Sequence, residues 1–122
     1  MATHRFLEAT TGEITGTLVD LAGVGVPVSQ LTTLTLTLRN AATGAIVNGR
    51  NQQNVKNANN VTVGDTGPTA GQLVWAVQAA DTPIIDAGAE QDLHDALFEW
   101  TWPGGAGKAL EHLLIPNLVG VP

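Results

Sequence analysis

The chain has no cysteine and no tyrosine among its 122 residues. Without cysteine there can be no disulfide, no thiolate metal site and no cysteine nucleophile. Basic residues are also scarce: five Lys and Arg stand against eleven Asp and Glu, for a net charge of −6. Phosphate binding needs clustered Lys and Arg, so nucleic acid is not an expected partner. No apolar run approaches the ~20 residues that cross a bilayer. Residues 1–30 hold no apolar stretch behind a basic start, so Met1-Ala2-Thr3-His4-Arg5 does not read as a signal peptide. The expectation is a soluble product of a cytoplasm, with no membrane partner. Charged residues make up only 13% of the chain, about half the usual share.

Thr and Asn fill that gap, with 15 and 8 copies, and both solvate a surface without charging it. Hydrophobic residues at 43% exclude compositional disorder. A chain of this length reads as one domain that buries roughly two thirds of its unfolded surface. The charge is uneven. Residues 1–60 carry Arg5, Arg39, Arg50 and Lys56 against Glu8, Glu13 and Asp20, whereas residues 61–122 carry Lys108 alone against eight acids. A thinly charged surface suits a part held within an assembly.

The most two-faced stretch is Ala96-Leu97-Phe98-Glu99-Trp100-Thr101-Trp102. As a strand it puts Ala96, Phe98, Trp100 and Trp102 on one face and Asp95, Glu99 and Thr101 on the other, with Leu97 breaking the polar side. Leu34, Leu36 and Leu38 alternate with Thr33, Thr35 and Thr37, and strict period two with β-branched Thr overrides the helical preference of Leu. Gly12–Asp20, Val61–Val63 and Gln72–Val77 read as further strands, the last with Leu73, Trp75 and Val77 inward. The predicted core is Leu34, Leu36, Leu38, Trp75, Phe98, Trp100 and Trp102.

Asn40–Gly44 reads as a hairpin turn returning through Ala45–Asn48, and Gln52–Asn57 as one helical turn. Ala79–Pro83 reads as a short 3₁₀ segment capped by Asp81. Pro103–Gly107 turns the chain so that Lys108–Ile115 pairs back on the Trp-rich strand. About seven short strands with scarcely any helix predict an all-β sandwich. Its boundaries are an N-terminal arm at 1–11, the domain at 12–118 and a C-terminal tail at 119–122. Arg5 and Phe6 would let the first arm hold the domain or a neighbour.

Catalytic signals fail on inspection. His4, His94 and His112 lack ligand spacing and read as surface or rim residues. His94 and Asp95, adjacent on a strand, point to opposite faces and make a poor pair. Gly104-Gly105-Ala106-Gly107-Lys108 lacks the phosphate loop's Gly at Trp102 and its Ser or Thr at Ala109, and it joins two strands. Asp81, Asp86, Glu90, Asp92, Asp95 and Glu99 form an acidic run without Lys or Arg. Its spacing matches no Ca²⁺ loop, so it reads as a solvated rim and a candidate docking edge for a basic protein surface. No cofactor, metal site or enzymatic activity is expected.

Several segments resemble small bacteriophage structural proteins. They are Gly16-Thr17-Leu18-Val19-Asp20 with its Gly/Pro turn, Leu34–Leu38 with Ala42-Thr43-Gly44-Ala45-Ile46, Gln72-Leu73-Val74-Trp75, Ala80-Asp81, Ala96–Trp102 and Gly107-Lys108. Over residues 12–118 the pattern is similar to the immunoglobulin-like N-terminal domain of siphophage baseplate upper proteins. The motifs are strand and turn signatures, and they carry no catalytic residue. The chain departs from those proteins by ending just after the domain, without a receptor-binding or coiled-coil region. The resemblance implies an immunoglobulin-like β-sandwich with extended N- and C-terminal arms, assembled into a virion in a host bacterial cytoplasm. Its partners would be capsid, neck or tail proteins, and it would form a symmetric homo-oligomer with arms over neighbouring subunits. The alternative from another class is a cellular carbohydrate- or protein-binding β-sandwich, which needs an exposed aromatic platform at Trp100 or Trp102.

Overall fold

Two period-two strands meet at the centre of the molecule, for which a computed structural model describes residues 2–6, 9–85 and 90–116. Chain order gives β1 (Ala2–Arg5), β2 (Gly12–Thr17), β3 (Thr33–Asn40), β4 (Gln53–Asn54), β5 (Val61–Val63), β6 (Gln72–Val77), β7 (Gln91–Trp102) and β8 (Gly105–Pro116). Strands β3 and β7 pair antiparallel, with Leu34 opposite Trp100, Leu36 opposite Phe98 and Leu38 opposite Ala96. All six face inward and are buried. Burying each such Leu stabilises the fold by roughly 1.5–3 kcal/mol.

The protein is an all-β sandwich. One sheet runs β1-β8-β7-β3-β4 and the other β2-β6-β5. Ile14, Val61, Val63, Leu73, Trp75 and Val77 from the smaller sheet close on the inner face of the larger one in a single core. Trp75 is fully buried and meets Phe98 edge-to-face across the sandwich, the ring centres 5.7 Å apart, a favoured aromatic arrangement. Short 3₁₀ turns at Val28–Gln30, Gly67–Thr69 and Ala79–Asp81 bridge strand ends.

The structure corrects three sequence expectations. Residues 2–5 are no arm free to cross onto a neighbour, because β1 pairs parallel with β8 and Phe6 is buried against Gly12. The return after Gly44 is not a strand: Ile46 makes one isolated bridge to Arg39, and Gly44 sits at φ +73° in the turn. Gln53–Asn54, expected inside a helical turn, instead forms the edge strand β4 against Thr35 and Leu36. The eight strands among the described residues agree with the expected seven or so: β1 and β4, whose short polar sequences carry no period, are added, and the strand expected at 45–48 drops out. The expected tail at 119–122 lies outside the described residues.

The β7–β8 hairpin is held by a close approach. Gly107 lies opposite Trp100 on the inner face, and a Cβ added there would stand 2.6 Å from two indole carbons. The indole cannot swing away easily, because it is buried and its N–H donates to the Val19 carbonyl at 3.3 Å. Gly107→Val will therefore destabilise by about 1–3 kcal/mol, the usual cost of overpacking. Urea unfolding checks this, and an unchanged midpoint would show that Trp100 has room to move.

Candidate functional site

The sequence-predicted docking residues do not share one surface. Asp81 is fully buried and Asp92 nearly so, whereas Glu90 is exposed and Asp95 and Glu99 are half-buried. Arg5 is exposed on β1, Phe6 belongs to the core, and Asp86 lies outside the described residues. The acidic rim is thus two separate things: a buried polar seam at one end of the sandwich, and the outer face of β7.

Arg50 organises the seam. Its Nε donates to Asp81 Oδ1 at 2.6 Å and its Nη2 to Asp81 Oδ2 at 3.1 Å. Nη1 donates to Gln53 Oε1 and to the Asn59 carbonyl, and Nη2 also donates to Asn60 Oδ1. A guanidinium has five N–H donors, and each has a partner here. Asp81 also accepts from Asn48 Nδ2 at 2.9 Å and from the Gln78 backbone N–H at 2.8 Å. Four bonds match the four lone-pair sites of a carboxylate. A saturated, buried pair has nothing left to offer a partner, which corrects its placement on a docking edge. The expected capping role of Asp81 is met by the Gln78 bond.

His94 continues the seam and is fully buried, not at a rim. Its Nδ1 lies 3.1 Å from the Asp81 carbonyl oxygen, which can only accept, so Nδ1 carries a proton. Nε2 lies 3.4 Å from Asp92 Oδ2, and that oxygen also accepts from Asn40 Nδ2 and from the Ile85 backbone N–H. The chain from Gln53 through Arg50, Asp81 and His94 to Asp92 ties loops from three parts of the sequence to the sandwich end. No three of His, Asp and Glu converge as a metal ligand set among the described residues. At the opposite end of the smaller sheet, where the chain leaves β5 beside the start of β6, Asp65 is held below the usual carboxylate range by hydrogen bonds from the Ser29 hydroxyl and backbone N–H.

The outer face of the larger sheet is the open surface that sequence reasoning half saw. Register sets Leu93 opposite Leu114, Asp95 opposite His112, Leu97 opposite Leu110 and Glu99 opposite Lys108. Asp95 thus pairs across the hairpin with His112 at 2.6 Å. On the other side of the sheet, His4 pairs with Glu111 at 3.1 Å and ties β1 to β8. Thr33 and Thr35 of β3 flank the rungs, with Thr33 bonded to Thr101 at 2.6 Å. Lys108, His112 and the four leucines were missed as surface partners. Their signal was the two-residue turn at Pro103-Gly104, which fixes every partner in the hairpin once it is placed.

Among the described residues, depressions mark the surface, two of them beside β8. One, of about 100 Å³, lies between the edges of β2 and β8 over Leu73 and Phe98. The other is a shallow hollow of about 300 Å³ at the hairpin end between Glu99, Thr101, Ala106 and Lys108. Trp75 and Trp100 are buried and Trp102 packs partly against the core, so the aromatic platform required by a sugar-binding reading is not provided by Trp100. No family model, curated protein or solved structure matches the chain.

Proposed function

We infer that the chain is a non-catalytic immunoglobulin-like module of a bacteriophage particle, docked in symmetric copies on the head, neck or tail. The observation that carries this reading is the strand order. Sheets β8-β7-β3-β4 and β2-β6-β5 follow the order in which immunoglobulin strands G-F-C-C′ and B-E-D are arranged, with β1 added beside β8. With no cysteine to bridge the sheets, the contact of Trp75 on β6 with Phe98 on β7 joins them, that is, strands E and F of this assignment. The same strand and turn segments carry the resemblance to baseplate upper proteins. Polar chemistry supports a structural role as well, because its strongest charged pair is spent internally on Arg50 and Asp81.

Particles purified through a density gradient provide the test. The chain should sediment with them in a fixed, multiple ratio to the major capsid protein, and antibody should label them at repeated positions. Abundant chain in the lysate with none on washed particles would overturn the reading.

A further inference from the structure

We propose that the outer face of the β7–β8 hairpin is an isologous interface with a second copy of this chain, whether or not the protein belongs to a virion. Four successive rungs alternate in kind: Leu93–Leu114, Asp95–His112, Leu97–Leu110 and Glu99–Lys108. At both charged rungs the acid is on β7 and the base on β8. A two-fold contact must be self-complementary, and this arrangement satisfies that for one axis orientation.

Consider an axis parallel to the strands and midway between β7 and β8. It lays each copy's β7 over the other's β8 at the same height. Asp95 then faces the second copy's His112, Glu99 faces its Lys108, and leucine meets leucine at both apolar rungs. An axis across the strands through Leu97 would set Glu99 over Asp95, which is repulsive, and would leave Lys108 over His112 with no acid to meet. Charge therefore selects one orientation.

The flanks agree with it. Rotation brings β3 over β1, so Arg39 faces uncharged Thr3, which aligns with His112 at the same level. At no level do like charges face each other directly, and Arg5, at the level of Leu93 and Leu114, stands one rung away from the second copy's Arg39. Among the described residues Glu99 and Lys108 take part in no ion pair, so each is available to the second copy. Leu93 is 36% exposed and Leu97, Leu110 and Leu114 are half-buried, leaving apolar area for the contact. Thr33 and Thr35 beside them are small and uncharged, which lets the two sheets reach the ~10 Å face-to-face spacing of packed sheets.

Sedimentation of the full chain over a concentration series tests the interface. A monomer of 12.6 kDa should give way to a dimer as concentration rises. Glu99→Lys and Lys108→Glu should each weaken dimerisation at least about tenfold, since the axis repeats every like-charge contact. The double variant E99K/K108E should restore it to near the wild-type value. Circular dichroism of dilute samples checks that each variant is folded, so a loss of dimer is read only on folded chains. A monomer at every concentration, or a dimer indifferent to both single exchanges, would overturn the proposal.

Discussion

Asp81→Ala will cost about 3–5 kcal/mol, the range found when one member of a buried ion pair is removed. A domain of this size has only about 5–15 kcal/mol in total, so the variant will be close to unfolding at physiological temperature. The reason lies in what remains. Arg50 is 2% exposed, and without Asp81 its charge keeps only neutral partners in Gln53, Asn59 and Asn60. Asn48 and the Gln78 N–H lose their acceptor at the same time. Asp81→Asn keeps the shape but supplies one acceptor oxygen where two were used, so it too will be severely destabilised. Removing both charges, as in Arg50→Ala with Asp81→Ala, should cost less than the sum of the single changes by about 1–3 kcal/mol, the scale of coupling between residues in contact. Urea denaturation of the four proteins measures this. Strict additivity would mean that the pair is not the unit that holds these loops.

The long strands were legible because period two needs no tertiary information. Alternation in Leu34–Leu38 and Ala96–Trp102 marked both the strands and their buried faces, and Trp75 was placed inward by the same rule. The short edges were not legible. β1 pairs with residues more than a hundred positions away, and β4 is two polar residues that become a strand only because β3 offers an open edge. The acidic run misled for a different reason. Counting charges along the chain treats every acid alike, yet continuing the period back from Ala96 puts His94 and Asp92 on the buried face. Asp81 found its base in Arg50, 31 residues earlier, a distance that no local pattern bridges. The hairpin rungs could have been read, since a two-residue turn at Pro103-Gly104 sets Glu99 against Lys108 and Asp95 against His112.

Trp75→Ala should be as damaging as the loss of Asp81, at about 3–5 kcal/mol, but through packing. Trp75 is the point where the smaller sheet touches both the aromatic centre and the polar seam. One ring edge meets Phe98, and the Arg50 guanidinium carbon lies 5.6 Å from the ring centre. The indole Nε1–H has no hydrogen-bond partner among the described residues. An aromatic replacement therefore forfeits no hydrogen bond, and Trp75→Phe should be clearly milder than Trp75→Ala, losing ring area and part of the cation–π contact, itself about 0.5–2 kcal/mol. Alanine instead leaves a cavity between the sheets and strips one face from Arg50. Its cost should consequently be non-additive with Asp81→Ala, because both changes act on the surroundings of the same guanidinium. Denaturant unfolding followed by the emission of Trp100 and Trp102 reads each variant without the substituted residue. A cost for Trp75→Ala below about 0.5 kcal/mol, the level of a surface substitution, would remove Trp75 from the centre of the fold. A cost for Trp75→Phe equal to that of alanine would show that the ring's full width, rather than its aromatic face, joins the two sheets.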